Sequence, residues 1–203
     1  MSNPPQHLLG GLNVALLVCE TSNPDQVLAT RHTLEELGVN VVLVSARRGR
    51  PADPHAAGDA AALEVSLTLA NADPDALDGV VVLSDAAGAR RLRGEPHARE
   101  FLQRIDQENK PVAAVTDGVL LLATHGASQP RTVSAPEPLS AKLQRAGAPT
   151  SNAPLTVDGN WLSAARADVL PEFHVRLKEM LANRRLETIT LGNDQPSAVG
   201  EDG

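Results

Sequence analysis

Apolar runs of strand length, separated by well-punctuated polar stretches, constrain this chain more than any other feature. "LNVALLVC" (12–19), "VNVVLVSA" (39–46), "VVVLS" (80–84) and "KPVAAV" (110–115) are built almost entirely from Val, Leu and Ala. Near-continuous aliphatic strands suit a parallel sheet covered on both faces. "SNPDQVLATRHTLEELG" (22–38) separates the first two and reads as a helix. Ser22 or Asn23 caps it, Pro24 fits its first turn, Asp25 suits its positive end, and Gly38 closes it. Strand, helix and strand in that order imply a parallel pair joined by a right-handed crossover.

The pattern continues along the chain. "ALEVSLTLA" (62–70) is a short strand or ribbon, and "DPDALDG" (73–79) a turn or one-turn helix. "DAAGARRL" begins a short helix or loop, and "EPHAREFLQRIDQENK" (95–110) is an amphipathic helix with Ala98, Phe101, Leu102 and Ile105 on one face. "RTVSA" (131–135) predicts a strand, and "PLSAKLQRAG" (138–147) a helix closed by Gly147. "APLTVDGNWLSAA" (153–165) predicts a hairpin turning at Asp158-Gly159-Asn160. "VLPEFHVRLKEMLANRR" (169–185) reads as a helix, "LETITL" (186–191) as an added edge strand, and the polar tail as disordered. The expectation is a single domain over 12–191, an extension at 1–11 and a tail at 192–203. Its fold class is α/β, a doubly wound sandwich with a mainly parallel sheet.

Composition narrows the partners. The aromatic residues are only Phe101, Trp161 and Phe173, so the core must be aliphatic. The net charge of -7 argues against nucleic acid as the main partner. "SARRGR" (45–50) and "ARRLRG" (89–94) are therefore read as solvated loop clusters. One cysteine, Cys19, excludes an intrachain disulfide and fits a reducing compartment. The N-terminus lacks a signal-peptide pattern, and no apolar run approaches the roughly 18 residues of a membrane span, so a cytoplasmic protein is expected.

In a doubly wound sheet, ligands bind beyond the C-terminal ends of the strands. The residues to examine are Cys19-Glu20-Thr21, Ser84-Asp85-Ala86 and Thr116-Asp117-Gly118. The last triplet lies in "KPVAAVTDGVLLLATHG" (110–126), a strand, a sharp turn and a helix, the place where α/β enzymes often mount a nucleophile.

The ordered set "NVALLV", "LEELG", "DPDALDGVVVL", "KPVAAVTDGVLLLA", "LSAKLQRAGA" and "VDGNWLSAARADVLPEF" resembles the DJ-1/PfpI superfamily, in its PfpI-type intracellular protease-like branch. The likeness runs over about residues 12 to 182. It implies a flavodoxin-like fold, related to class I glutamine amidotransferases, and a homodimer. The family's elbow carries a nucleophilic cysteine, often followed by histidine. Here Thr116 holds the first position and Asp117 the second. The family glutamate in the first helix falls on Gln26, and the family's Pro-Gly-Gly after the third strand falls on Ser84, Asp85 and Ala86. A threonine hydroxyl is a weak nucleophile without an adjacent base, and added carboxylates oppose a developing oxyanion.

The resemblance with these replacements implies a non-catalytic, stress-related or small-ligand-binding homologue. The competing reading is a hydrolase or glyoxalase/deglycase-like enzyme using Thr116 or Cys19. Cys19 is otherwise read as a small buried hydrophobe. Glu20, Asp85 and Asp117 form no metal-ligand spacing motif, so no metal is assigned. His55 and His125 receive no catalytic role. "CETSNP" lacks the glycines of a dinucleotide fingerprint, so no cofactor is expected.

Overall fold

A computed structural model describes residues 9–49, 63–125 and 130–193. Strands β1 (Asn13–Val18), β2 (Asn40–Ser45), β3 (Leu67–Thr68), β4 (Gly79–Leu83), β5 (Val112–Val115), β8 (Leu155–Asp158) and β9 (Trp161–Ala164) form a seven-stranded sheet of order β3-β2-β1-β4-β5-β9-β8. All neighbours are parallel except the terminal β8–β9 pair. A separate small parallel pair joins β6 (Val133–Ser134) to β7 (Thr150–Ser151).

Alternation within each apolar run explains the two layers. Ala15, Leu17 and Cys19 of the first run, with Val80, Val82, Val112 and Ala114, face one core. That core is covered by α2 (Ala86–Arg93), α3 (Pro96–Gln107) and α4 (Val119–His125), through Leu92, Phe101, Leu102, Ile105 and Leu122. Val14, Leu16 and Val18, with Val81, Leu83, Ala113 and Val115, face the opposite core, under α1 (Pro24–Glu36) and α6 (Leu170–Asn193). Phe173, Leu177 and Leu181 supply the α6 side. In β1, β4 and β5 nearly every residue is thus buried whichever way it points, which is why these runs contain so few polar residues. Leu9, ahead of β1, is fully buried in this second core.

Local expectations hold in most places. Asn23 caps α1, accepting from the Asp25 and Gln26 amides, with Pro24 in the first turn. The face Ala98, Phe101, Leu102 and Ile105 of α3 is buried, and Pro74–Ala76 forms one 3-10 turn. The β8–β9 hairpin turns at Gly159, with Asp158 opposite Trp161. "ALEVSLTLA" reduces to the two-residue β3, and "PLSAKLQRAG" supplies α5 (Leu139–Arg145).

Two expectations are corrected. Residues 186–191 do not add an edge strand, because α6 continues to Asn193. β8 already closes that side of the sheet, and extending a helix by a residue is far easier than starting a strand. The "ARRLRG" cluster is solvated but is not a loop: Arg90 and Arg91 are exposed on α2, whose N-cap is Asp85. The expected tail and His55 lie largely or wholly outside the described residues. Among the described residues, no helix is long and apolar enough to cross a membrane.

Candidate functional site

Three strands end side by side at the C-terminal edge of the sheet, β1, β4 and β5, and the sheet's order reverses between β1 and β4. The site is built from the turn or loop at the end of each strand. After β5 the chain makes a 3-10 turn at Thr116–Gly118 and enters α4 at once. Thr116 has φ 54, the left-handed region that β-branched residues avoid. Gly118 explains what holds it there. A Cβ at Gly118 would lie 2.8 Å from the Val82 carbonyl oxygen, so only glycine lets the turn press onto β4.

The Thr116 hydroxyl is turned back onto the backbone. Oγ1 donates to the Val115 carbonyl at 2.8 Å, with the Ser84 carbonyl 3.4 Å away. Among the described residues, no histidine or carboxylate hydrogen-bonds this hydroxyl. A hydroxyl without a base to take its proton is a poor nucleophile. Its neighbour Asp117 is half-buried, and its carboxyl is held above the ordinary range, first by burial and then by the charge of Asp85. Arg90 and Lys142 oppose that shift.

After β4, Asp85 folds back on its own helix. Its Oδ1 accepts from the Gly88 amide at 2.8 Å and from the Thr21 hydroxyl at 2.5 Å. The loop after β1 is tied to β4 by Ser22, whose Oγ accepts from the Cys19 amide at 2.9 Å and donates to the Leu83 carbonyl at 2.6 Å. Cys19 is buried beneath these groups, 6% exposed. Its Sγ lies 3.4 Å from both Ser22 Oγ and Ser84 Oγ and 3.5 Å from Thr21 Oγ1. Each hydroxyl directs its own proton elsewhere: Thr21 to Asp85, Ser22 to Leu83 and Ser84 to the Asp85 carbonyl. The sulfur therefore meets oxygen acceptors, and α2 closes over it at Gly88, where a Cβ would stand 1.9 Å from Sγ.

The edge thus gathers Cys19, Ser84, Asp85, Ala86, Thr116, Asp117 and Gly118 around the ends of three strands. Glu20 does not join Asp85 and Asp117 in an acidic pocket; it pairs with Arg91 at 2.8 Å. Gln26 sits in the first turn of α1, half-buried, its amide given to Asn23, and its side chain hydrogen-bonds no described residue. Among the described residues, no group of three or more His, Cys, Asp and Glu side chains could hold a metal ion.

Sequence reasoning missed the linking hydroxyls. Ser22 was legible as a helix cap and Thr21 as a loop residue, but their bonds to Leu83 and Asp85 cross from β1 to β4. It gives Ser45 no role, and it reads Arg47, Arg90 and Arg91 as solvated, which their exposure bears out. All four line a cleft of about 630 Å³ together with Cys19 and Glu20.

Comparison with known proteins agrees with this architecture. The "Deglycase PfpI" of Pyrococcus furiosus is 28% identical over 133 residues, 66% of this chain and 77% of the relative. A deglycase of Pyrococcus abyssi is 26% identical over 153 residues, 75% of this chain and 89% of the relative. Among solved structures, a ThiJ/PfpI domain protein from Brachyspira murdochii superposes with a TM-score of 0.74 at 14% identity, covering 86% of this chain and 98% of that one. A two-domain protein from Anabaena variabilis, with DJ-1/ThiJ/PfpI-like and ferritin-like domains, gives 0.72 at 22% identity, over 83% of this chain and 49% of that one. The family model described as "DJ-1/PfpI family" matches residues 13–180, from the start of β1 into the last helix, and this chain belongs to that family.

Proposed function

We propose that this chain is a DJ-1/PfpI member that keeps the nucleophile elbow as a scaffold and has lost the nucleophile. It acts as a small-ligand-binding, stress-related homologue, homodimeric and cytoplasmic, with Thr116 where relatives carry the reactive cysteine. The observation that carries this reading is Thr116 itself. Its backbone holds φ 54, at a strain of roughly 1–3 kcal/mol, while its hydroxyl is committed to backbone carbonyls. Strain of this kind persists where the surroundings over-determine it, and among the described residues no histidine or carboxylate accepts from the hydroxyl. Asp85 and Asp117 add negative charge where an acyl or carbonyl oxyanion would develop, which opposes the reaction.

The competing reading is an altered-site enzyme, and the relatives named as deglycases favour it. Its nucleophile would be Thr116 or Cys19. Cys19 lies at the correct edge of the sheet, but under α2 and among acceptors. Adduct mapping separates the readings. The native protein is treated with methylglyoxal or iodoacetamide and its modified residues are located by mass spectrometry. The proposal expects Thr116 unmodified and Cys19 modified only as the fold opens. Rapid modification of either residue in the native state would favour the enzyme. The homodimer is checked by light scattering, where a monomer mass at micromolar concentration would remove it.

A further inference from the structure

The cleft lined by Cys19, Glu20, Ser45, Arg47, Arg90 and Arg91 is separate from the elbow, since Thr116 and Asp117 are not part of its wall, and it shares only Cys19 with the competing reading. We propose that this cleft is a second site, which binds a small organic phosphate through Ser45, Arg47 and Arg90.

The cleft opens at the C-terminal ends of β1 and β2, beside the point where the strand order reverses, which is where open α/β sheets receive ligands. Its volume of about 630 Å³ falls within the range of small-molecule sites.

One polar group in its wall faces the cleft without a protein partner among the described residues. Ser45 is the last residue of β2 and only 6% exposed, yet it lines the cleft. No described residue hydrogen-bonds its hydroxyl. The hydroxyl reaches the open space of the cleft, where it can bond a molecule that enters.

Charge points to the class of ligand. Three guanidiniums line the cleft, from Arg47 after β2 and from Arg90 and Arg91 on α2. Glu20 neutralises Arg91 at 2.8 Å, and Glu95 is engaged by His97 at 2.9 Å. Among the described residues, Arg47 and Arg90 have no ion-pair partner within salt-bridge distance. Two guanidiniums outside any ion pair and a hydroxyl match a phosphate dianion better than a carboxylate, because each guanidinium presents paired donors to adjacent oxygens. Ala46, Leu92 and Gly94 give the rest of the wall an apolar character suited to a short carbon skeleton.

The test uses the full chain and two probes of equal skeleton, glycerol 3-phosphate and glycerate, titrated by calorimetry. Glycerol 3-phosphate is expected to bind, more weakly at high salt, and about tenfold more weakly to Arg47→Ala or Arg90→Ala. Ser45→Ala is expected to weaken it less, and melting curves confirm that each variant is folded. Thr116→Val is expected to leave the titration unchanged, so this inference and the reading of the elbow fail separately. Absence of binding, binding indifferent to both arginine substitutions, or glycerate binding as tightly as the phosphate would overturn the proposal.

Discussion

Gly88→Ala measures how closely α2 seals Cys19. The added Cβ would stand 1.9 Å from Cys19 Sγ, 2.7 Å from Ser84 Oγ and 3.1 Å from an Asp85 carboxylate oxygen. A relaxed contact needs about 3.5–4.0 Å, so the sulfur or the helix must move by about 2 Å. A contact this short falls in the upper part of the range for overpacking, about 2–3 kcal/mol. Alanine in a helix returns about 1 kcal/mol over glycine, leaving a net loss of about 1–2 kcal/mol. In a chain of this size that lowers the melting temperature by roughly 2–8 °C. The partner substitution is Cys19→Ala, which removes the atom in the way. In that background the nearest obstacle is the rotatable Ser84 hydroxyl, so Gly88→Ala is expected to cost little. Urea denaturation of the four proteins, followed by circular dichroism, gives the coupling, expected at about 1–2 kcal/mol in favour of the pair. Effects that add within about 0.5 kcal/mol would show that the sulfur does not lie under Gly88, and would refute the view that α2 shields it.

Other perturbations probe other parts of the molecule. Thr116→Gly is expected to raise stability by about 1 kcal/mol, because glycine adopts φ 54 without strain; a drop on thermal melting would mean the turn is relaxed. Asp117→Asn should raise the melting temperature at neutral pH and have little effect in acid. The folded carboxyl titrates above its unfolded value, so ionisation destabilises the native state as pH rises through that window. His174 is held below the ordinary histidine range by burial, with its ring against the hydroxyls of Thr30 and Thr33. Acidification through that range protonates it first in the unfolded chain, so stability falls, and His174→Gln should flatten that slope in pH-dependent melts. Asp106→Ala should cost about 3–5 kcal/mol in denaturant titration, since this buried carboxylate accepts from Trp161 Nε1 at 2.7 Å and Asn160 Nδ2 at 3.1 Å beside Arg131.

The fold was legible because its signals are local. Aliphatic runs of strand length, Asn23-Pro24 ahead of a helix, and Gly159 at a hairpin each carry their own geometry. The elbow was legible too: Val115-Thr116-Asp117-Gly118 predicts a sharp turn, and Thr116 makes it at φ 54. Pairing across the sheet stayed hidden. Nothing near Cys19 announces that Ser84, 65 positions later, will lie 3.4 Å from its sulfur. Nothing in "SARRGR" tells that Arg47 will share a wall with Arg90 and Arg91, because crossover connections bring them together only after β1 is sandwiched between β2 and β4. Residues 186–191 misled for the opposite reason: alternating Leu, Thr and Ile suits a strand, but the preceding helix met no breaker.

An elbow kept without its chemistry gives no turnover, and that is open to direct assay. A glycated peptide is incubated with the wild-type chain, Thr116→Val and Cys19→Ala, with a deglycase of the family as the positive control, and release of the free amine is followed. The wild type is expected to give no more release than Thr116→Val and no more than the uncatalysed reaction. Wild-type turnover that disappears in Thr116→Val or in Cys19→Ala would contradict the loss of the nucleophile and would identify the residue that supplies it.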